Sequence, residues 1–195
     1  PFLRVDEALE AMSTAGDGII RIIGNNETGL PTANTVSGRP LLRPGAAREV
    51  PNDYHYYIGT DEQGLALADG NEFSVPQGVT VMLDAGAVFR MSKSNVDVGS
   101  SSELESRANA SIQVLGTPGN PVQFSSTKNR AVQQSFVSLP GNTDILKEQM
   151  PDGTYTAEDA SQWGGVVLRE DSDAGLPGVF LNSIQYAVLS YGGGQ

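Results

Sequence analysis

Apolar positions recur along this chain with two different spacings. Val5, Ala8, Leu9 and Met12 fall at i, i+3, i+4 and i+7 and predict a short amphipathic helix over residues 3–13, ending near Gly16. After Asp17-Gly18, the β-branched run Ile19-Ile20-Arg21-Ile22-Ile23 predicts a strand mostly buried on both sides. From Glu72 onward the spacing changes. Phe73-Ser74-Val75, Val79-Thr80-Val81-Met82-Leu83, Ala87-Val88-Phe89-Arg90-Met91 and Val96-Asp97-Val98 are short apolar runs. Pro76-Gln77-Gly78, Asp84-Ala85-Gly86 and Ser92-Lys93-Ser94-Asn95 separate them. Antiparallel hairpins favour Asn-Gly or Asp-Gly turns, which are scarce here. The Pro-x-Gly and Asp-Ala-Gly bends instead suit a chain turning from one face of a solenoid to the next.

The pattern returns in residues 110–124, and again in Gly165-Val166-Val167-Leu168, Gly178-Val179-Phe180-Leu181 and Ile184-Gln185-Tyr186-Ala187-Val188-Leu189. No such unit can bury its own apolar face, so the units must stack. Ile112 and Val114 alternate with Ser111 and Gln113, which predicts one dry face and one wet face. Two segments depart from the repeat. Residues 25–52, with prolines at 31, 40, 44 and 51, predict an irregular surface excursion, and residues 127–161 predict an insertion looping out of one turn of chain. Insertions on a solenoid often form its binding surface.

Composition narrows the function classes. The 195 residues fit a single domain. Acidic residues outnumber basic ones by 23 to 12, giving a net charge of −11, which argues against nucleic-acid and anionic-membrane partners. The absence of cysteine excludes disulfides, zinc–thiolate sites and cysteine nucleophiles. No apolar run approaches a membrane span. Gly192-Gly193-Gly194-Gln195 follows a strand-like run without a polar cap. The chain is therefore expected to continue beyond it and to follow an export signal upstream of Pro1.

Residues 69–89 with Val96-Asp97-Val98-Gly99-Ser100, residues 114–126, and Gln162-Trp163-Gly164-Gly165-Val166-Val167 resemble the β-helical segments of very large secreted bacterial surface proteins. In those proteins a Leu-Gly-Thr…Pro-Val-x-Phe-Thr-Ser turn of chain precedes a Trp-Gly-Gly-Ile turn. The opening helix and strand are similar to the start of pectin-lyase-like β-helices, where a short helix covers the first turn. The resemblance implies an all-β fold: one right-handed parallel β-helix domain over residues 1–195. Its parts are a capping helix (1–16), a loop excursion (25–52), core coils (69–126), an insertion (127–161) and further coils (162–195). It implies an extracellular or cell-surface location and a structural or adhesive role. It is specific for fold and weak for activity, because the same fold carries lyases, hydrolases, adhesins and passive stalks.

Candidate chemistry is sparse. Polygalacturonases of this fold carry Asn-Thr-Asp, Asp-Asp, Gly-His-Gly and Arg-Ile-Lys signatures, and pectate lyases often carry Trp-Ile-Asp-His. Only Asn-Thr-Asp occurs, at Asn142-Thr143-Asp144 in the insertion, and no catalytic residue is assigned. A carbohydrate-active enzyme stays open as the alternative, because paired carboxylates can be brought together by the fold alone. Tyr54, Tyr56 and Tyr57 form an aromatic cluster that could stack on glycan rings if exposed or cover a sheet end if buried. His55 is the only histidine. Glu170, Asp171 and Asp173 offer hard oxygen ligands, so calcium is the one cofactor left open, and with it a calcium-dependent glycan-binding module. Trp163, beside two glycines, is expected to pack at a corner. The expected partners are the remainder of the same chain or a second copy at an open C-terminal coil, together with surface glycans.

Overall fold

The computed structural model describes residues 2, 4–24, 35–36, 39–40, 55–102, 104–128, 163–174 and 181–193. The helix, α1 (Val5–Ala15), carries Asp6 and Glu7 in its first turn, where acidic charge meets the positive end of the helix dipole. It stops at Gly16, whose left-handed backbone (φ 86°) lets its N–H donate to the Met12 carbonyl at 2.9 Å. Val5, Ala8 and Leu9 are buried, so the predicted stripe faces the core.

The strands are β1 (Gly18–Ile22), β2 (Thr35–Val36), β3 (Arg39–Pro40), β4 (His55–Gly59), β5 (Phe73–Val75), β6 (Val79–Asp84) and β7 (Val88–Ser92). They continue with β8 (Val96–Val98), β9 (Ser111–Leu115), β10 (Val122–Ser126), β11 (Val166–Leu168), β12 (Ser183–Gln185) and β13 (Ala187–Leu189). Three parallel sheets result, ordered β1-β6-β9-β12, β4-β7-β10-β13 and β5-β8-β11, beside an antiparallel β2-β3 pair. From β4 onward the chain enters the second, third and first sheets in that unchanging order, each time one strand further along. Each corner hands the chain to a different sheet, and a sheet is met again only after a full circuit in the same sense, so every pairing in the three sheets is parallel and between successive layers.

Register turns this order into columns of like side chains. Ile20, Val81 and Ile112 are aligned in the first sheet, as are Ile22, Leu83 and Val114. Phe73 lies over Val96 and Val75 over Val98 in the third. In the second sheet Tyr56, Phe89 and Phe124 are aligned. Their rings stack with centroids 5.2 and 5.0 Å apart, and Trp163 continues the stack 6.1 Å beyond Phe124. All of these residues are buried in one apolar cluster with the inward face of α1.

Several expectations need amendment. The strand at 19–23 is not buried on both sides. β1 alternates, with Ile20 and Ile22 inward and Ile19 exposed, because no layer of the described residues covers its outer face. Residues 184–189 are not one strand. Tyr186 adopts φ 46° and turns the chain from β12 into β13. Gly116 lies directly beneath that corner, where a Cβ would overlap the Tyr186 carbonyl oxygen, so the close approach requires glycine. The strand β4 was not anticipated; it follows from the period-two burial of Tyr56 and Ile58. Within the expected irregular excursion, β2 and β3 form a short pair. Residues 178–180 of the strand expected at 178–181 lie outside the described residues, and Leu181 is not in a strand. Most of the 127–161 insertion also lies outside them.

Candidate functional site

The acidic corner singled out by the sequence follows β11, in the last layer of the stack. Asp171 does not point into an open carboxylate cluster. Its carboxylate accepts from the Ser100 amide at 2.9 Å and from the Ser100 hydroxyl, after β8 in the layer beneath. Those two hydrogen bonds, with a smaller contribution from Arg107, hold the Asp171 carboxyl below the usual carboxylate range. Asp173 accepts from the Asn182 amide at 2.9 Å, and Asn182 in turn accepts from the Ile112 amide through its side-chain oxygen at 2.9 Å. The corner is thus a set of polar ties between two layers.

A second carboxylate, missed in the sequence, binds this corner from outside. Asp97 projects outward between Ser74 and Val167 in register. It accepts Arg107 Nη2 at 2.7 Å and Arg169 Nε at 3.0 Å. Arg107 is buried and Arg169 is partly exposed, so one carboxylate bridges two guanidinium groups across successive layers. No local motif could have shown this, since Asp97 and Arg169 stand 72 positions apart. Glu170, Asp171 and Asp173 are not brought together as a ligand set. Among the described residues no three His, Asp or Glu side chains converge to hold a metal.

The tyrosine cluster divides between the two faces of β4. Tyr56 is a core residue, and its hydroxyl donates to the Ile23 carbonyl at 2.7 Å; it is not an exposed glycan platform, which corrects that expectation. Tyr57 faces outward and is only partly buried, with its backbone N–H donating to Asp69 Oδ2 at 2.8 Å. Tyr54 lies outside the described residues.

Arg90 aligns with Tyr57 and Ser125 on the outward face of the second sheet, yet it is fully buried and its guanidinium donates to the Thr127 carbonyl. Burial, reinforced by the Arg90 charge, pushes the His55 imidazole from 6.5 down to about 3. Burial also raises the Tyr57 phenol, with Asp69 adding to that and Arg90 opposing it. His55 is therefore a neutral structural imidazole at physiological pH. Trp163, 1% exposed, donates its Nε1–H to the Ser190 carbonyl at 2.9 Å, as expected of a residue packed at a corner. Asn142-Thr143-Asp144 lies outside the described residues.

An apolar recess of about 200 Å³ opens between α1 and β1, lined by Val5, Ala8, Met12, Ile20, Ile22 and Tyr56 among others. Arg4 at its rim pairs with Asp6, and Arg21 pairs with Asp84 at 2.8 Å, so neither cation is left for a ligand by its acidic neighbour. No family model matches the chain, and no curated protein or solved structure matches it.

Proposed function

We propose that this chain is a segment of right-handed parallel β-helix that acts as a rigid structural or adhesive element of a large extracellular or cell-surface bacterial protein, without catalysis of its own. The single observation that carries the reading is the unbroken order in which the chain enters three in-register parallel sheets, with like side chains stacked on like. Short crossovers between parallel strands are right-handed in nearly all known cases, which supplies the hand.

The disposition of charge supports the role. Asp97, Arg107, Arg169, Asp171, Arg21 and Asp84 are committed to ties between layers or along the outer walls. Such ties stiffen a stack, whereas an acid–base pair needs carboxylates held ready for substrate. The pectin-lyase-like kinship, the bacterial surface location and the glycan partners belong to this proposal.

The test sets the rival activity against the structural one. The full 195-residue chain is incubated with polygalacturonate and a panel of acidic and neutral polysaccharides, with and without calcium, while reducing ends and unsaturated products are followed. No turnover is expected from protein whose β6, β7, β9 and β10 amides exchange slowly with solvent. Turnover of any polymer, lost when the outer-wall residues Asp97 or Arg169 are replaced, overturns the non-catalytic reading.

A further inference from the structure

The outer edges of β11, β12 and β13 carry no strand partner among the described residues. Their inward side chains are half exposed: Leu168 46%, Ile184 46% and Leu189 49%. The residues directly beneath in the same columns, Val98, Val114 and Phe124, are buried. This end therefore presents three apolar side chains together with three rows of backbone donors and acceptors, the same surface that each inner layer offers the next.

Two observations identify what fits it. The opposite end is closed by α1, so a second copy stacked head to tail would meet a helix rather than open strands. At this end a new strand-like step has already begun. Gly192 pairs in parallel with Trp163, and the Gly193 N–H donates to the Gly164 carbonyl at 3.2 Å. One layer lower, the Gly164 N–H donates to the Ser94 carbonyl at 3.1 Å, just before β8. The climb that carried the chain out of β7 toward β8 is thus repeated above Trp163, in the parallel sense. Two copies joined at this end would be related by a twofold axis and would meet with antiparallel strands, against that step.

We infer that the open end is a docking surface for one further parallel layer: three short strands laid in register on β11, β12 and β13, with apolar side chains over Leu168, Ile184 and Leu189. The inference rests on the β-helix reading above. The occupant is an extended segment alternating apolar and polar residues, with a small residue above the Tyr186 corner.

The experiment compares the full 195-residue chain with the same chain extended at its C-terminus by a copy of residues 97–128, which carry β9, β10 and most of β8. Backbone amide exchange and sedimentation are measured on both. In the unextended chain the β11–β13 amides exchange about tenfold or more faster than those of β6, β7, β9 and β10, and the extension slows them by about tenfold while the protein stays monomeric. The triple variant Leu168→Asp, Ile184→Asp, Leu189→Asp alters only half-exposed positions. It keeps the slow amides of β6, β7 and β9, and the extension no longer protects β11–β13.

An extension that leaves β11–β13 unprotected overturns the inference. So does an unextended chain that sediments as a dimer with β11–β13 already slow, since the end then takes a second copy. Fast exchange in β6, β7, β9 and β10 of the unextended chain brings down the β-helix reading itself, a result distinct from either.

Discussion

The two ends of the stack are held by different physics. At the first, α1 lays Val5, Ala8 and Leu9 over the inward faces of β1 and β5, and Ile20, Ile22, Phe73 and Val75 beneath are buried. At the other, Leu168, Ile184 and Leu189 stay half in solvent, and the last layer is tied down by polar contacts. Asp171 accepts from Ser100, Arg169 pairs with Asp97, Asn182 caps the Ile112 amide, and the Ser190 hydroxyl reaches Ser125 at 3.1 Å. Burial is non-directional and accepts any well-shaped cover. Hydrogen bonds and ion pairs fix register but contribute less each in water. One end is sealed, and the other is aligned but left half exposed.

The column through the second sheet should show the largest difference between the two ends, because Tyr56, Phe89, Phe124 and Leu189 run from one end to the other in register. Phe89 is fully buried and touches the rings of Tyr56, Phe73 and Phe124. Phe89→Ala is expected to cost about 3–5 kcal/mol by urea unfolding, and Leu189→Ala only about 1 kcal/mol, since half of that side chain never leaves water. Equal losses at the two positions would show that the last layer is sealed after all.

The cap comes next. Leu9→Ala removes buried side-chain volume between α1 and the first strands, and is expected to cost about 2–3 kcal/mol because a surface helix can settle into part of the space. The loss should appear together with faster amide exchange in β1 and β5, leaving β12 unchanged. A loss below about 1 kcal/mol, or exchange that quickens equally at both ends, would mean that α1 does not close the stack.

The sequence made the layers legible and hid the ties between them. Pro76-Gln77-Gly78 and Asp84-Ala85-Gly86 mark corners because proline and glycine restrict or free the backbone locally, so β5 to β8 could be placed within a residue or so. The corner at Tyr186 carries no such mark, since a tyrosine at φ 46° is chosen by the chain beneath it rather than by its own preference. β4 was obscured by its aromatic residues, which read as the cover of a sheet end or, less often, as an exposed patch rather than as a strand; only burial separates Tyr56 from Tyr57. Asp171 was visible as a carboxylate, whereas its partner Ser100 stands 71 positions away and is brought to it by the stacking alone. The resemblance pointed to parallel stacking, and the parallel sheets agree with it, but shared architecture says nothing of activity.

A smaller effect belongs to the first layer, where β4 is the edge strand of the second sheet, and is read through pH. His55 is buried and its folded-state value lies near 3, against 6.5 when unfolded, so the unfolded chain binds the proton first. Stability is unaffected above pH 6.5 and falls as pH drops from 6.5 toward 3. At pH 5 the loss is about 2 kcal/mol, from roughly 1.4 kcal/mol per pH unit. His55→Gln removes that part of the slope in urea unfolding followed between pH 7 and 5. An unchanged slope in the variant would place the acid sensitivity elsewhere.

The smallest change concerns the polar tie that aligns the open end. Asp171 sits below the usual carboxylate range because the Ser100 hydroxyl and amide donate to it, so its contribution is present above that range and fades as pH falls through its own titration. Ser100→Ala deletes the hydroxyl and leaves the amide, so the Asp171 titration, read by carbonyl-carbon NMR, should move part of the way up. Salt should scarcely alter that movement, because the leading cause is a hydrogen bond and not the Arg107 charge. Amide exchange in β11 should quicken with no change in β5, whose layer is held by α1 and the core. If the Asp171 titration stays where it is in Ser100→Ala, the tie does not hold the carboxylate, and the contrast between a sealed end and an aligned one loses its polar half.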